Sequence, residues 1–311
     1  MNVKRAFDVV VVGELNPDLI LSGDVEPVFG QVEKLVAHAS MVIGSSSAIF
    51  ACGAARLGLN VAFVGKVGKD QFGQFMRDSL SERGVDTTGI LTDPATPTGL
   101  SVILSKGSDR AILTYPGTMP ALKFAEIDQG LLAHARHLHL ASFFIQDALR
   151  PDVPRLFALA RQLGLTVSLD TNYDPLETWD GGLLEALRYT NLFLPNETES
   201  RRIARKEILL EAVDWLASRV EVVAVKCGER GAQLRSGAHK FSSPSIPVQV
   251  VDTVGAGDSF DAGFVCGYLS GWDLERCLRL GVVCGALSTR AAGGTTAQPS
   301  LAEAAPYLQD L

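Results

Sequence analysis

Short apolar segments and amphipathic segments alternate along most of the chain. Residues 8–12 and 61–64 are apolar runs that each end at a glycine, which is typical of buried parallel strands. Between them, the pattern of residues 48–57 predicts a helix, and Gly58 supplies a C-terminal glycine. This order predicts strands that are joined by helical connections.

The alternation becomes regular in the second half of the chain. We predict strands at 166–169, 192–194 and 222–225, and helices at 183–188, 198–219, 259–269 and 274–291. Repeated βαβ units form a mostly parallel sheet with helices on both faces. The sequence therefore predicts an α/β protein with a three-layer α/β/α core.

One region departs from this pattern. Residues 99–104 and 111–115 flank a glycine-containing turn at 105–110, which predicts an antiparallel hairpin. Together with residues 14–21, this hairpin could form a small lid. We expect one domain over residues 1–311, with lid segments at about 14–40 and 95–120.

Composition narrows the class of protein. The chain has 311 residues, of which 47% are hydrophobic, and its net charge is −7. No basic cluster or aromatic-interleaved basic stripe is present, which argues against a nucleic-acid partner. No signal-like N-terminal segment and no apolar run of roughly 18 to 20 residues occurs, so we predict a cytoplasmic protein without a membrane partner. The five cysteines lack metal-ligand spacing and are expected to be reduced core residues.

Residues 252–260, Asp-Thr-Val-Gly-Ala-Gly-Asp-Ser-Phe, carry the most informative chemistry. Gly255 and Gly257 allow successive N–H groups to point at one anion, and the following helix begins with its positive end there. Asp258 would be repelled by a bound phosphate, which suggests a chemical role such as removing a proton from a hydroxyl. The alternative is an aspartate that caps the helix after a glycine turn.

This stretch, followed by Asp-Ala-Gly-Phe, closely resembles the C-terminal signature of the ribokinase-like, or PfkB, family of carbohydrate kinases. The resemblance implies that Asp258 is the catalytic base and that the backbone of Gly255, Ala256 and Gly257 forms an anion hole for ATP phosphates. It also implies that Asp252 and Thr253 lie near a monovalent cation, such as K⁺. The resemblance extends from about Phe7 to Ser300.

A magnesium site is expected near the phosphates. Asn196 and Glu199 follow the predicted strand 192–194, and they resemble the family's Asn-x-x-Glu motif, which would hold Mg²⁺ through water. Asn196 would also lie at the nucleotide. The alternative is a polar helix start in which acidic residues are favoured by the helix dipole.

The acceptor side of the expected site resembles the family only in part. Asp18 matches the aspartate that commonly binds sugar hydroxyls, although it could equally form a turn. Gly44, Ser45 and Ser46 lie in the N-terminal signature and are expected to bind substrate. Ser45 replaces the usual second glycine, and Ile49 replaces an asparagine that often contacts the sugar.

Two further segments complete the expected site. Asn172 lies in an element like the family's Asp-x-Asn-x-Arg and is expected to bind substrate, but Asp174 replaces the arginine. This loss counts mildly against a strongly anionic acceptor. Lys226, Gly228 and Gly231 resemble the nucleotide-side turn, together with Gly257; an ordinary β-turn is the alternative.

The sequence therefore predicts an ATP-dependent kinase acting on a primary hydroxyl of a small sugar or sugar acid, such as ribose, fructose or 2-keto-3-deoxygluconate. A nucleoside kinase of the same family is the first alternative, in which Ile49 and Phe50 would contribute to a base pocket. A non-catalytic sugar-sensing protein on a kinase fold is the second. The family resemblance also predicts a homodimer formed through the lid.

Overall fold

The structure is a computed structural model that describes residues 5–106 and 109–308. Its strands form a nine-stranded and a four-stranded sheet. The strands are β1 (Phe7–Val12), β2 (Pro17–Ser22), β3 (His38–Ile43), β4 (Val61–Gly68), β5 (Val85–Asp93), β6 (Leu100–Lys106), β7 (Asp109–Tyr115), β8 (Ala135–Leu140), β9 (Thr166–Leu169), β10 (Leu192–Phe193), β11 (Val222–Lys226), β12 (Ala232–Ser236) and β13 (His239–Ser243).

Helices connect most of the strands of the larger sheet. They are α1 (Ser46–Arg56), α2 (Gln71–Glu82), α3 (Gln129–Ala133), α4 (Val153–Gln162), α5 (Leu183–Leu187), α6 (Glu197–Ala204), α7 (Leu209–Ala217), α8 (Ala256–Leu269), α9 (Leu274–Ser288) and α10 (Leu301–Ala304). Short 3₁₀ turns lie at Phe124–Glu126, Phe143–Ile145, Arg150–Asp152, Gly228–Arg230 and Ala305–Leu308.

The larger sheet has the order β13-β12-β11-β10-β9-β8-β1-β4-β5. Neighbours from β11 to β5 are parallel, and β12 and β13 extend one edge in antiparallel pairing. Parallel strands joined by helices are covered on both faces, which explains why their sequences are continuous apolar runs. The predicted three-layer α/β/α architecture is confirmed.

Strand β1 illustrates how the two faces are buried. Val9 belongs to the core that contains Phe50 of α1 and Phe264 of α8, whereas Val10 belongs to the opposite core with Phe157 of α4. Successive side chains of a strand point to opposite faces, so the valine run of β1 supplies both cores. Burial of each such side chain contributes about 1.5–3 kcal/mol.

The smaller sheet has the order β3-β2-β6-β7. Strands β6 and β7 form the predicted hairpin, in which Lys106 is opposite Asp109. Residues 107 and 108 of the predicted turn lie outside the described residues. Strand β2 pairs with β6 in parallel and with β3 in antiparallel fashion, and the sequence did not predict β3.

Three predicted boundaries are wrong in informative ways. The helix expected at 198–219 is two helices, because α6 ends at Ala204 and Arg205 adopts a left-handed conformation with φ 53°. Helix α9 ends at Ser288 rather than at residue 291. Helix α8 begins at Ala256 rather than at Ser259, and Asp258 lies in its first turn, as expected.

Within the described ranges, none of the helices is long and apolar enough to cross a membrane. All five cysteines are buried and unpaired, as expected.

Candidate active site

The strand order of the larger sheet indicates where a ligand would bind. Strand β1 lies between β8 and β4, and the chain proceeds from β1 to β4 on one side and later places β8 on the other. Open α/β sheets bind ligands at the carboxyl ends of the strands where the order reverses. Glu14 follows β1 and Ser142 follows β8, so both residues lie at this position.

The N-terminus of α8 faces the same crevice. Gly255 caps the helix with φ 71°, and a Cβ there would lie 2.7 Å from Cα of Gly294, so the position requires glycine. The N–H groups of Gly255 and Gly257 have no acceptor among the described residues, whereas the N–H of Ala256 donates to Thr253 O at 3.3 Å. Two partly exposed, unpaired N–H groups at the positive end of a 14-residue helix can bind an anion, and we call residues 255–257 the anion-binding turn.

Asp258 is the third residue of α8 and is buried. Its side chain does not cap the helix, so the alternative role suggested by the sequence is wrong. Burial, reinforced by the negative charge of Asp170, raises the pKa of Asp258 to about 8, although Lys226 and the nearby hydroxyl of Ser46 oppose the shift. A carboxyl group with a pKa in this range can accept a proton from a hydroxyl near neutral pH.

A buried charge cluster lies beside Asp258. The carboxyl oxygens of Asp170, Asp258 and Asp261 lie within 4.8 Å of one another. Lys226 Nζ donates to Asp170 at 2.8 Å and to Asp261 at 3.1 Å. Burial lowers the pKa of Lys226, but these two carboxylates raise it by more, so the lysine is a fixed cation.

This cation is close to the anion-binding turn. A Cβ placed on Gly257 would lie 3.5 Å from Lys226 Nζ and 3.7 Å from its Cδ, which are ordinary contact distances. The protein alone therefore does not require glycine at position 257, in contrast to Gly255. The prediction that Lys226 belongs to the site agrees with this position.

The turn around Lys226 contains the two glycines that were expected at the nucleotide. Gly228 has φ 58°, and none of the described residues lies within 4 Å of the position of its Cβ. Gly231 has φ 87°, and a Cβ there would lie 2.0 Å from Ser243 O. The packing of the chain therefore requires glycine at position 231.

Glu14 is a buried residue that sequence reasoning passed over. Its carboxylate accepts hydrogen bonds from Ser47 Oγ at 2.6 Å and from Ser142 Oγ at 2.9 Å, and its main-chain oxygen accepts one from Ser45 Oγ at 2.6 Å. Burial raises the pKa of Glu14. An acidic residue directly after an apolar strand was the available signal.

The residues predicted for the acceptor converge on the loops beside Glu14. A Cβ on Gly44 would lie 2.1 Å from Asp18 Oδ1, so this glycine allows the aspartate to approach. Asp18 also accepts a hydrogen bond from Asn16 Nδ2 at 3.1 Å, and burial raises its pKa to about 6. Ser45 caps α1 by accepting from Ala48 N, which commits its hydroxyl to protein partners.

Ile49 and Phe50 lie in the core. Ile49 packs against Gly255 and Gly294, since Cβ atoms on these glycines would lie 2.9 and 2.5 Å from its side chain. Phe50 stacks on His139 with ring centroids 3.6 Å apart. Neither side chain is available to line an apolar base pocket.

The loop after β9 places Asn172 at the site. Asn172 has φ 52°, and its Nδ2 donates to Ser142 Oγ at 2.9 Å. Asp174 is buried and accepts hydrogen bonds from the main chain of Leu176, Thr178 and Trp179. Asp174 therefore organises its own loop.

The segment that was expected to bind magnesium forms a capping box at the start of α6. Asn196 Oδ1 accepts from Glu199 N, and Glu199 Oε2 accepts from Asn196 N at 2.8 Å. Burial, together with the charge of Asp170, raises the pKa of Glu199 to about 7. The helix-start role is thus present, and it does not prevent a second role, because each carboxylate oxygen can accept more than one hydrogen bond.

Asp252 joins two loops at the far side of the anion-binding turn. Its carboxylate accepts from Val254 N at 3.0 Å and from Gly293 N at 2.9 Å, and it lies 3.6 Å from Arg110 NH1 of β7. Thr253 is exposed and lies immediately before the turn. These contacts connect the smaller sheet to the loop that precedes α8.

Comparisons with known proteins identify the family of the chain. A family model described as pfkB family carbohydrate kinase matches residues 6–301. The chain therefore belongs to the pfkB family of carbohydrate kinases. The predicted family, fold class and enzyme class are confirmed.

Individual relatives span nearly the same length. The chain is 32% identical over 264 residues to an ATP-dependent ribose-1-phosphate kinase of Halopiger xanaduensis, covering 84% of this chain and 85% of the relative. It is 26% identical over 334 residues to a 5-dehydro-2-deoxygluconokinase of Geobacillus thermodenitrificans, covering 99% and 95%. The crystal structure of a putative ribokinase II from E. coli in complex with ATP and Mg²⁺ matches with a TM-score of 0.86 and 26% identity, covering 97% of this chain and 99% of that one.

Proposed function

We propose that the protein transfers the γ-phosphoryl group of ATP in line to a primary hydroxyl of a small sugar or sugar acid. Asp258 accepts the hydroxyl proton, and the N–H groups of Gly255 and Gly257, with the turn through Ala256, bind the transferring group. The observation that carries this proposal is the combination, in one helical turn, of two unpaired N–H groups and a buried carboxyl with a raised pKa. Such a turn binds an anion and removes a proton at the same place.

The acceptor would lie between the loops that follow β1, β8 and β9. Asp18 and Asn172 offer polar side chains, and Gly44, Ser45 and Ser46 offer a closely approachable backbone at the start of α1. The engaged hydroxyl of Ser45 favours a main-chain role for that residue. Ser46 approaches Asp258, which places this wall next to the base.

The nucleotide would lie on the other side of Asp258. Lys226 supplies a positive charge beside Gly257, Gly228 leaves open space, and Gly231 shapes the turn. Asn196 lies at the end of the neighbouring strand, where it forms a bridge with Lys226. The E. coli structure that contains ATP and Mg²⁺ supports these two ligands for the proposed reaction.

Mg²⁺ fits the charge of this region. Asp170, Glu199, Asp258 and Asp261 are buried, and within the described residues Lys226 is the cation bonded to two of them, so the cluster favours a further positive charge. Glu199 and Asn196 would hold the ion through water, as Mg²⁺ retains much of its hydration shell. When bound, the ion would neutralise charge on the ATP phosphates.

A monovalent cation, K⁺ or a similar ion, would lie at Asp252 and Thr253. Asp252 supports this assignment because its carboxylate already joins the loop before α8 to Gly293. The ion would then stabilise the turn that carries the unpaired N–H groups. Activity in KCl compared with a tetramethylammonium salt tests this role.

The smaller sheet would act as a lid on a single-domain kinase and would pair with a second copy of the chain. Strand β7 and the loop between β2 and β3 expose large apolar side chains, which is unusual for a surface that faces water. Those more than half exposed are Phe29, Val32, Leu35, Ile112, Leu113 and Tyr115.

The proposal is tested by measuring ADP release with Mg²⁺, ATP and a panel of ribose, fructose, 2-keto-3-deoxygluconate, ribose 1-phosphate and adenosine. We expect a sugar or sugar acid to be phosphorylated. Activity with adenosine alone would instead indicate the nucleoside kinase alternative, which the buried positions of Ile49 and Phe50 do not favour. Sugar binding without any turnover would indicate the non-catalytic alternative.

Asp258→Asn tests the assigned base. We expect turnover to fall about 100- to 10,000-fold while ATP binding persists, because the amide cannot accept the proton. Asp273→Asn is the matched control, since Asp273 caps α9 and asparagine caps equally well. A turnover of Asp258→Asn close to that of this control would contradict the role of Asp258.

A further inference from the structure

A continuous chain of hydrogen bonds runs behind Asp258 from the acceptor loops to the anion-binding turn. Ser142 Oγ donates to Glu14 Oε1 at 2.9 Å and accepts from Asn172 Nδ2 at 2.9 Å. The main-chain N–H of Asn172 donates to Asp170 Oδ1 at 3.3 Å, and Lys226 Nζ donates to Asp170 Oδ2 at 2.8 Å. Four loops or strands are thereby connected through side chains.

Each end of this network contacts one half of the site. At one end, Glu14 accepts hydrogen bonds from the main-chain N–H of Ser47 at 3.3 Å and from its hydroxyl at 2.6 Å, which fixes the start of α1. At the other end, Lys226 bonds to Asp261, which lies one turn after Asp258 on α8. The network therefore joins α1 on the acceptor side to α8 on the phosphoryl side.

The backbone near the network is held in an uncommon conformation. Ser45, Ser142 and Asn172 have φ values of 66°, 55° and 52°, in the left-handed region that non-glycine residues seldom adopt. All three bond either to Glu14 or to the residue that Glu14 binds. Such conformations persist only where the surroundings determine them, and they cluster at functional sites.

The sheet alone does not provide this connection. Strands β1, β8 and β9 are aligned by their own backbone pairing, which reaches Val12, Leu140 and Asp170, where Asp170 N donates to Leu140 O at 3.0 Å. Beyond these residues the relative positions of the loops depend on side-chain contacts. Within the described residues, the Ser142 hydroxyl makes the direct link between the loops that follow β1 and β9.

We propose that Glu14, Ser142 and Asp261 are positioning residues of one network that aligns the acceptor hydroxyl with the phosphoryl group. Glu14 and Ser142 place the acceptor loops, and Asp261 places Lys226 beneath the anion-binding turn. The three residues act through their neighbours and need not touch either substrate. This inference rests on the proposed kinase function.

Two variants test opposite ends of the network. Ser142→Gly removes the hydroxyl and retains the left-handed conformation without strain, and Arg205→Gly is its control at an exposed left-handed position outside the network. Asp261→Asn weakens the hold on Lys226, and Asp273→Asn is its control. Each is assayed with MgATP and whichever of 2-keto-3-deoxygluconate, ribose, fructose and ribose 1-phosphate the native protein phosphorylates.

The decisive readout is the number of ADP molecules released per molecule of sugar phosphorylated. If Ser142 and Asp261 position the reactants, kcat falls about tenfold to hundredfold, and water competes for the phosphoryl group, so the ratio rises above that of the native protein. Binding of a nonhydrolysable ATP analogue to Ser142→Gly stays within about twofold of the native value. A purely structural role would lower stability without changing the ratio.

The double variant Ser142→Gly/Asp261→Asn tests whether the two ends belong to one network. We expect its loss of kcat to be smaller than the product of the single losses, since independent positions multiply. Native ADP-to-product ratios together with multiplicative losses would overturn the network and leave the kinase function intact. A native protein that phosphorylates no sugar in the panel would instead remove the proposed function, and the inference with it.

Discussion

The two sheets of the molecule use similar apolar residues but bury them to different extents. All eight residues of β4 in the larger sheet are buried, whereas all seven residues of β7 in the smaller sheet are exposed. A parallel sheet covered by helices completes its own core, while an uncovered antiparallel edge leaves apolar surface and backbone groups exposed. The larger sheet is thus covered by its own helices, whereas apolar side chains of the smaller sheet remain exposed.

The division of the site follows the same difference. Asp258 is buried and Lys226 is fixed by its bonds to Asp170 and Asp261, so the proposed phosphoryl half of the site is preorganised. Asp18 lies at the start of β2, so part of the proposed acceptor half belongs to the smaller sheet. We infer that substitutions in the larger sheet act mainly on the stability of the protomer, whereas substitutions in the smaller sheet leave that stability nearly unchanged.

The largest expected difference concerns stability. Phe63→Ala in β4 removes a fully buried ring and is expected to cost about 3–5 kcal/mol of the free energy of unfolding. Leu113→Ala in β7 removes an exposed side chain and should change it by less than about 0.5 kcal/mol. Urea unfolding of both variants at low protein concentration measures the two effects. Equal losses in the free energy of unfolding would contradict the difference in burial between the two sheets.

The same contrast explains which elements were predictable from sequence. Strands such as β1 and β9 are buried on both faces, and their continuous apolar runs gave nearly correct bounds. Strand β3 is mostly exposed and contains polar residues, so its conformation is set by pairing with β2 and not by a hydrophobic pattern. The break at Arg205 was missed because neither glycine nor proline marks it.

Within the site, the residues that could be predicted are those that lie next to one another in the sequence. Gly255, Gly257 and Asp258 lie in one contiguous turn, and the structure brings them together as expected. Glu14 and Ser142 are 128 positions apart, and only the adjacency of β1 and β8 reveals their contact. Asp261 was detectable in principle, because a residue three positions after Asp258 shares its helix face.

A smaller effect should appear in the pH dependence of stability of the core. The pKa of Asp258 is raised to about 8 in the folded protein, so its neutral form stabilises the fold below the ordinary carboxyl pKa, and this contribution is lost as the pH rises through about 8. Asp258→Asn removes the loss and should be more stable than the native protein by about 0.5–2 kcal/mol at pH 8.

Denaturation of both proteins between pH 5 and pH 9 measures this difference. We expect the advantage of Asp258→Asn to grow with pH and to level off above about 8, because both states of the native protein are then ionised. Parallel stability curves would show that Asp258 is ionised in the fold throughout this range.

The smallest effect on the protomer itself should come from Leu113→Asp, which places a charge on the exposed strand β7. Protomer stability should change by less than about 0.5 kcal/mol, because the side chain faces water in the isolated chain. If β7 pairs with a second copy, however, the buried charge would be unpaired in the interface and the dimer would dissociate. Leu184→Asp is the matched control, since Leu184 is an exposed leucine on α5, outside the smaller sheet. Sedimentation should then show dimers for the native protein and for the control, and monomers for Leu113→Asp. A native protein that is monomeric at micromolar concentration would instead mean that the smaller sheet tolerates its exposed apolar side chains without a partner.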